Sequence, residues 1–189
     1  MKDLILPCCI LLPCLLYAQQ EEFSVPGQNL FVNKINVVQK FDPWLNGSGI
    51  TVSIKEYGFD TTDVDLRGRV IASPNASTNQ TTHASIIASL VGGAGNANLR
   101  GGGAAPGCQL VSSSFEGLQP DADYGSQNIS VQNHSYGVDI QNWYGAGALA
   151  YDRTTTEYPG LLHVFSAGNK GDSSSLSGTY AGIRINHGR

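Results

Sequence analysis

The sequence is poor in charge: 15 acidic and 11 basic residues make up 14% of its 189 positions, with a formal net charge of -4. No block of like charge occurs, and no Lys/Arg patch offers a surface for nucleic acid. Cysteine is scarce as well. Cys8, Cys9 and Cys14 crowd the first residues, and Cys108 stands by itself. Nothing has the Cys/His spacing of a zinc site, and no metal ligand set follows from the residues. Internal repeats are absent too. What is present, 41% hydrophobic residues and 23 glycines, suits one ordinary domain with a buried core.

The N-terminus reads as an export signal. Lys2 gives a short positive start, LILPCCILLPCLLY an apolar stretch, and Tyr17-Ala18 leads into the polar QQEE. Cleavage is expected after Ala18. A membrane anchor is disfavoured because the stretch is short and interrupted by Pro7 and Pro13. Pro13 also argues against lipid attachment at Cys14, where a small residue is normally needed. The expected location is therefore secreted or cell envelope, with no membrane association after cleavage. Only Cys108 would survive, so no internal disulfide can form. Residues 1–18 are the signal, 19–40 a polar N-terminal arm, and 41–189 the folded domain. Asn-x-Ser/Thr sequences at Asn46, Asn75, Asn79, Asn128 and Asn133 could carry sugars in a eukaryotic secretory route. No oligomeric state follows from the sequence.

From Gly49 the pattern becomes regular. GITVSIK predicts a strand ending in a turn at Tyr57-Gly58. HASIIASLVGG predicts a helix opening at His83, with Ile86, Ile87, Leu90 and Val91 at helical spacing. CQLVSSS from Cys108, ISVQNHSYG from Ile129 and LLHVFSAGN from Leu161 predict further strands. WYGAGALAYDRTTTEY from Trp143 predicts a helix weakened by Gly145 and Gly147. Strands alternating with helices imply an α/β fold, a three-layer, mostly parallel sheet with helices on both faces. In such sheets chemistry gathers beyond the carboxyl ends of the strands. Glu56 and Asn169 each follow a strand and His83 opens a helix, so all three can share one rim. The glycines of GGAGNANLRGGG follow a helix instead of leading from a strand into one, and so lack the context of a phosphate-binding loop.

Five blocks carry a resemblance in their order along the chain: GITVSIKEYGFD, TTHASIIASLVG, GGAAPGCQL, NHSYG and HVFSAGNKG. Together they resemble the catalytic domain of subtilisin-like serine proteases, over roughly residues 35–172. The DVDL run ending at Leu66 is similar to the family's His-Pro-Asp-Leu. The resemblance implies a subtilisin-like fold, peptide or protein substrates and hydrolysis by a Ser/His/acid triad. It gives the carboxylate role to Glu56, the base role to His83 and the side-chain oxyanion donor to Asn169. Ser135, Tyr136 and Gly137 would form an edge along which a peptide aligns as an added strand. No cofactor is certain from the residues, and calcium is one that the resemblance allows.

Glu56 departs from the family, which has Asp-Thr-Gly at this block. Its extra methylene moves the carboxylate by roughly 1.5 Å, a shift that other hydrolase folds accept. Asp60 is an alternative, but the glycine of EYG aligns Glu56. For Asn169 the competing role is a turn cap at Gly168, and for 135–137 it is an interior strand without a ligand. His134 and His163 read as packing or hydrogen-bonding residues, and His187 lies where the resemblance has faded. The family's Gly-Thr-Ser-Met-Ala block does not occur. SGTYAG has Tyr180 in the serine position and follows Asn169 too closely. The expectation is thus a domain incomplete at its C-terminus and inactive as it stands. The alternative is an exported peptide-binding protein without catalysis.

Overall fold

The computed structural model describes residues 30–98, 101–137 and 144–167. Helix α1 (Ile35–Phe41) precedes the central strand β1 (Thr51–Glu56), and the short β2 (Val70–Ile71) leads to α2 (Thr82–Gly92). Then follow β3 (Gln109–Ser114), β4 (Ile129–His134), α3 (Ala146–Glu157) and β5 (Leu162–Phe165). The five strands form one sheet in the order β2-β3-β1-β4-β5, and every pairing is parallel. The expected α/β architecture is present, with each predicted strand and helix in its place. The expected signal, residues 1–18, lies outside the described residues. Among the described residues no helix is long and apolar enough to cross a membrane.

Two elements go beyond the sequence reading. Helix α1 crosses the boundary drawn at residue 40 between arm and domain, and none of its residues is buried. It is tied down instead by Gln39, whose Nε2 donates to the carbonyl of Gly103 at 2.9 Å. β2 has only two residues, too few for a period-2 pattern to register.

Alternation along β1 assigns the two faces of the sheet. Val52 and Ile54 turn toward α2 and share a core with Phe59, Leu66, Leu110 and Cys108. The buried residues of α2 are Ala84, Ala88 and Gly92, while the larger Ile87 and Val91 pack against the same core only partly buried. Small residues on the contact line let the helix axis approach the sheet, and the branched side chains spread to its flanks. Beyond α2 the glycine-rich run folds back on itself. Gly103 donates to the Gly93 carbonyl at 2.8 Å, and a Cβ on Gly93 would stand 2.5 Å from the Gly101 carbonyl. Close backbone packing accounts for those glycines.

The opposite face is polar at its centre. Ser53 and Lys55 lie beside Gln132 and His134 of β4 in the parallel register, and all four are buried. A parallel sheet covered on both sides is ordinarily apolar on both. Here Asp121, from the segment after β3, makes the polar face tenable. Its Oδ1 meets Lys55 Nζ at 2.5 Å, and its Oδ2 accepts from Ser113 Oγ at 2.7 Å and Gln132 Nε2 at 2.6 Å. Tyr124 donates to Gln132 Oε1 at 2.7 Å and closes the network. Val111, Tyr124, Ile129 and Leu161 form an apolar cluster on this side. Among the described residues β5 lies at one edge of the sheet, with Leu162 59% and Val164 44% exposed.

Because both partners are buried, removing one strands the other's charge. Asp121→Ala and Lys55→Ala should each lower unfolding stability by about 3–5 kcal/mol. The two losses should be strongly non-additive in the double variant when measured by urea denaturation. Additive losses would show that the pair acts as two independent groups. The exposed apolar edge of β5 should also favour self-association. Val164→Lys is expected to shift size-exclusion profiles toward monomer without lowering the urea midpoint.

Candidate active site

Glu56 is the last residue of β1, on the face that carries α2. β2→β3 crosses by α2 on this face, while β4→β5 crosses by α3, whose Tyr151 packs on His134 of the other face. The chain thus reverses its winding beside β1, the position where crevices open at the carboxyl edge of parallel sheets. Gly58 brings the start of α2 to this spot. Its N–H donates to the Asn79 carbonyl at 2.7 Å and its own carbonyl accepts from Thr81 at 3.0 Å. A Cβ at Gly58 would stand 2.9 Å from the Ser77 carbonyl, so the close pairing requires glycine. Thr81 then caps α2 by accepting from the Ala84 N–H at 3.2 Å.

His83, in the first turn, is held with Nδ1 3.5 Å from Glu56 Oε2. The imidazole is 56% exposed and the carboxyl 7%. Glu56 Oε1 accepts from the Tyr57 N–H at 3.3 Å. Oε2 makes no hydrogen bond among the described residues, so the His83 contact is an electrostatic approach that stops short of one. Burial pushes the Glu56 carboxyl above the ordinary carboxylate range, and the Tyr57 N–H and His83 pull it part of the way back. Asp60 is differently employed. Its Oδ1 accepts from the Thr62 N–H at 2.8 Å and the Thr62 hydroxyl at 2.7 Å. Those two bonds hold its carboxyl below the usual range.

Segment 135–137 continues beyond β4 outside the strand ladder. Ser135 Oγ accepts from Asn133 Nδ2 at 2.7 Å, Tyr136 is buried and Gly137 is exposed. Tyr136 stacks on Phe115 at 5.1 Å, and Phe115 meets Tyr57 edge-on at 4.8 Å. This aromatic row joins the end of β1, next to Glu56, to segment 135–137. Sequence reasoning missed it, because Phe115 sits in no recognisable block. Asn169 lies outside the described residues. Among the described residues no three acidic, His or Cys side chains converge as metal ligands, so calcium has no assigned site.

The raised carboxyl of Glu56 has a consequence for stability. A carboxyl that binds its proton more tightly when folded supports the fold most at low pH, and that support is lost as pH rises through its folded pKa. Glu56→Gln should therefore make the protein more stable at pH 7, with the gain vanishing below about pH 4. Urea unfolding of both proteins at the two pH values is the measurement. An equal gain at both would place its cause outside ionisation.

With this geometry in view, comparison with known proteins is direct. The chain matches the family model described as Peptidase_S8, Subtilase family, over residues 47–182. Among solved structures it is similar to MycP1 with the N-terminal propeptide removed, at 20% identity and a TM-score of 0.52. That alignment covers 76% of this chain and 49% of the other. The Clostridium perfringens CspB protease matches at 16% identity and a TM-score of 0.56, covering 73% of this chain and 39% of that one. The Prenylagaramide maturation protease PagA gives 18% and 0.53, covering 78% and 53%. At these identities the likeness bears on the fold, and the chain spans about half the length of the structures it matches. The family match covers most of the sequence, and on that ground this chain belongs to the subtilase family.

Proposed function

We propose that this chain carries the acid and base of a subtilisin-like serine endopeptidase, is exported through its N-terminal segment, and is inactive as these 189 residues alone. The observation that carries this reading is the approach of Glu56 Oε2 to His83 Nδ1, at the carboxyl end of the central strand. In this mechanism Glu56 keeps the proton of His83 on Nδ1, leaving Nε2 to take the proton of a serine hydroxyl as its oxygen attacks the peptide carbonyl. Glu56 then stabilises the imidazolium, which returns the proton to the leaving amine. Asn169 donates to the oxyanion of the tetrahedral intermediate. Ser135, Tyr136 and Gly137 align the peptide or protein substrate through its backbone, which suits recognition of many sequences. The serine belongs to a Gly-Thr-Ser block that these residues do not contain. Calcium enters only through the family resemblance.

Two measurements test the proposal. The 189-residue protein should neither hydrolyse peptides nor react with a serine-directed fluorophosphonate. Labelling of one serine that His83→Ala abolishes would refute its inactivity. In a chain extended to include a Gly-Thr-Ser block, Glu56→Gln should lower kcat about a thousand- to ten-thousand-fold with the fold retained. If Asp60→Asn does so instead, the carboxylate is misassigned. If the extended chain binds peptides without cleaving them, the protein is a binding module.

A further inference from the structure

The turn after α2 folds around a carboxylate. Asp65 lies between β1 and β2, is 9% exposed, and precedes Leu66 of the core. Its Oδ1 accepts from the N–H groups of Asn96 and Ala97, the latter at 3.1 Å. Its backbone carbonyl accepts from the Ala94 N–H at 3.0 Å and from the Arg69 guanidinium. Asn96 Nδ2 also reaches the Val64 carbonyl at 3.0 Å. Gly95, at φ +72°, makes the left-handed step that lets successive N–H groups aim at one oxygen. Residues 94, 96 and 97 thus all direct backbone donors at Asp65.

A buried carboxylate beside a glycine-rich turn is a setting that suits calcium, the cofactor that the family resemblance allows. Calcium takes about six to eight oxygen ligands around one point. This turn offers the carboxylate hydrogens in their place. The N–H dipoles of Asn96 and Ala97 present positive ends to Asp65, and the charged Arg69 guanidinium is bonded to the same residue. Each opposes a further cation at that spot. The carbonyls of Val64, Asp65, Gly93 and Asn98 already accept hydrogen bonds. The donor set does not fit the ion. It fits an anion, and Asp65 supplies one.

The closure also bears on how α2 is held. Gly93 ends the helix by donating to the Ser89 carbonyl at 2.8 Å, and Ala94 follows it directly onto Asp65. At the start of the helix, Gly58 pairs with residues 79 and 81, and the Asp60 N–H donates to Ser85 Oγ at 2.9 Å. The chain between β1 and β2 therefore grips α2, which carries His83, at both ends. We propose that the Asp65 carboxylate closes the turn after α2 as a built-in anion, and that this closure needs no divalent cation. It does not rest on the proposed function.

The test is hydrogen exchange on the whole protein in excess calcium and in excess EDTA, read at the Ala94, Asn96 and Ala97 amides. Protection should be equal in the two solutions. Asp65→Asn keeps an acceptor oxygen but not the charge, and should lower protection of the Asn96 and Ala97 amides about tenfold or more in both. Calcium-dependent protection of these amides in the wild type, or full protection in Asp65→Asn, overturns the closure. Should Asp65→Asn fail to fold, Gly95→Ala replaces it. Strained at the left-handed position, that variant should loosen the same two amides about fivefold or more. Unchanged amides there would equally overturn the closure. No peptide enters either readout, so the proposed function stands or falls separately.

Discussion

Asp121 holds a carboxylate against the middle of a parallel sheet, and the layer on that side depends on it. Lys55, Ser113 and Gln132 come from three different strands, β1, β3 and β4, and all bond to its two oxygens. Without that acceptor, this face of the sheet would present an ammonium and two polar side chains to an apolar cover, which costs several kcal/mol. With it, the segment after β3 is pinned to the sheet. Tyr124 then lies where it can bond Gln132 and pack against His163. The charge is expensive to bury, but its three partners fix how three strands and one loop stand relative to each other.

Adjacent residues of β1 show two ways of handling a buried charge. Lys55 is matched by a carboxylate with further donors on it. Glu56, one residue later and on the opposite face, has among the described residues only the long Tyr57 N–H bond and an imidazole outside hydrogen-bond contact. That difference is why burial dominates at Glu56 and raises its carboxyl. Under-compensated groups at the rim of a crevice are where reactive chemistry is usually found. The row Tyr57–Phe115–Tyr136 runs from beside this carboxyl to segment 135–137, where the Tyr136 hydroxyl is bonded to His134. The two faces of the sheet therefore meet at its carboxyl edge through packed rings.

Much of this was legible in the sequence. GITVSIK, CQLVSSS and ISVQNHSYG show strand character locally, and Gly58 marks a close approach that only glycine allows. Ordered blocks singled out Glu56, which ends a strand, and His83, which opens a helix, and the structure sets the two side chains 3.5 Å apart. Other features were hidden for physical reasons. Lys55 in TVSIKE looks like the solvated side of a half-exposed strand, and its partner lies 66 residues away in a loop of no regular period. Helix α1 buries none of its residues, so its apolar positions form no core stripe to recognise. In α2 the isoleucines were conspicuous, yet Ala84 and Ala88 make the closest approach. His134 and His163 were read as hydrogen-bonding residues, but nothing in the sequence says that they bond to each other.

The glutamate at position 56 is then a question of reach. A charge-assisted N–H to carboxylate bond spans about 2.8 Å, so the observed 3.5 Å leaves less than an ångström to close. The backbone cannot easily supply that movement. β1 is paired on both sides, and Gly58 ties its end to the start of α2. The side chains can. Glu56 has one more rotatable bond than aspartate, and among the described residues no hydrogen bond holds Oε2. His83 is more than half exposed and can turn about its own torsions. Closure is therefore local, and it gains most where the water that screens the pair is removed. The longer acid leaves contact with His83 within reach of side-chain rotation. The final adjustment falls to side chains and not to the backbone.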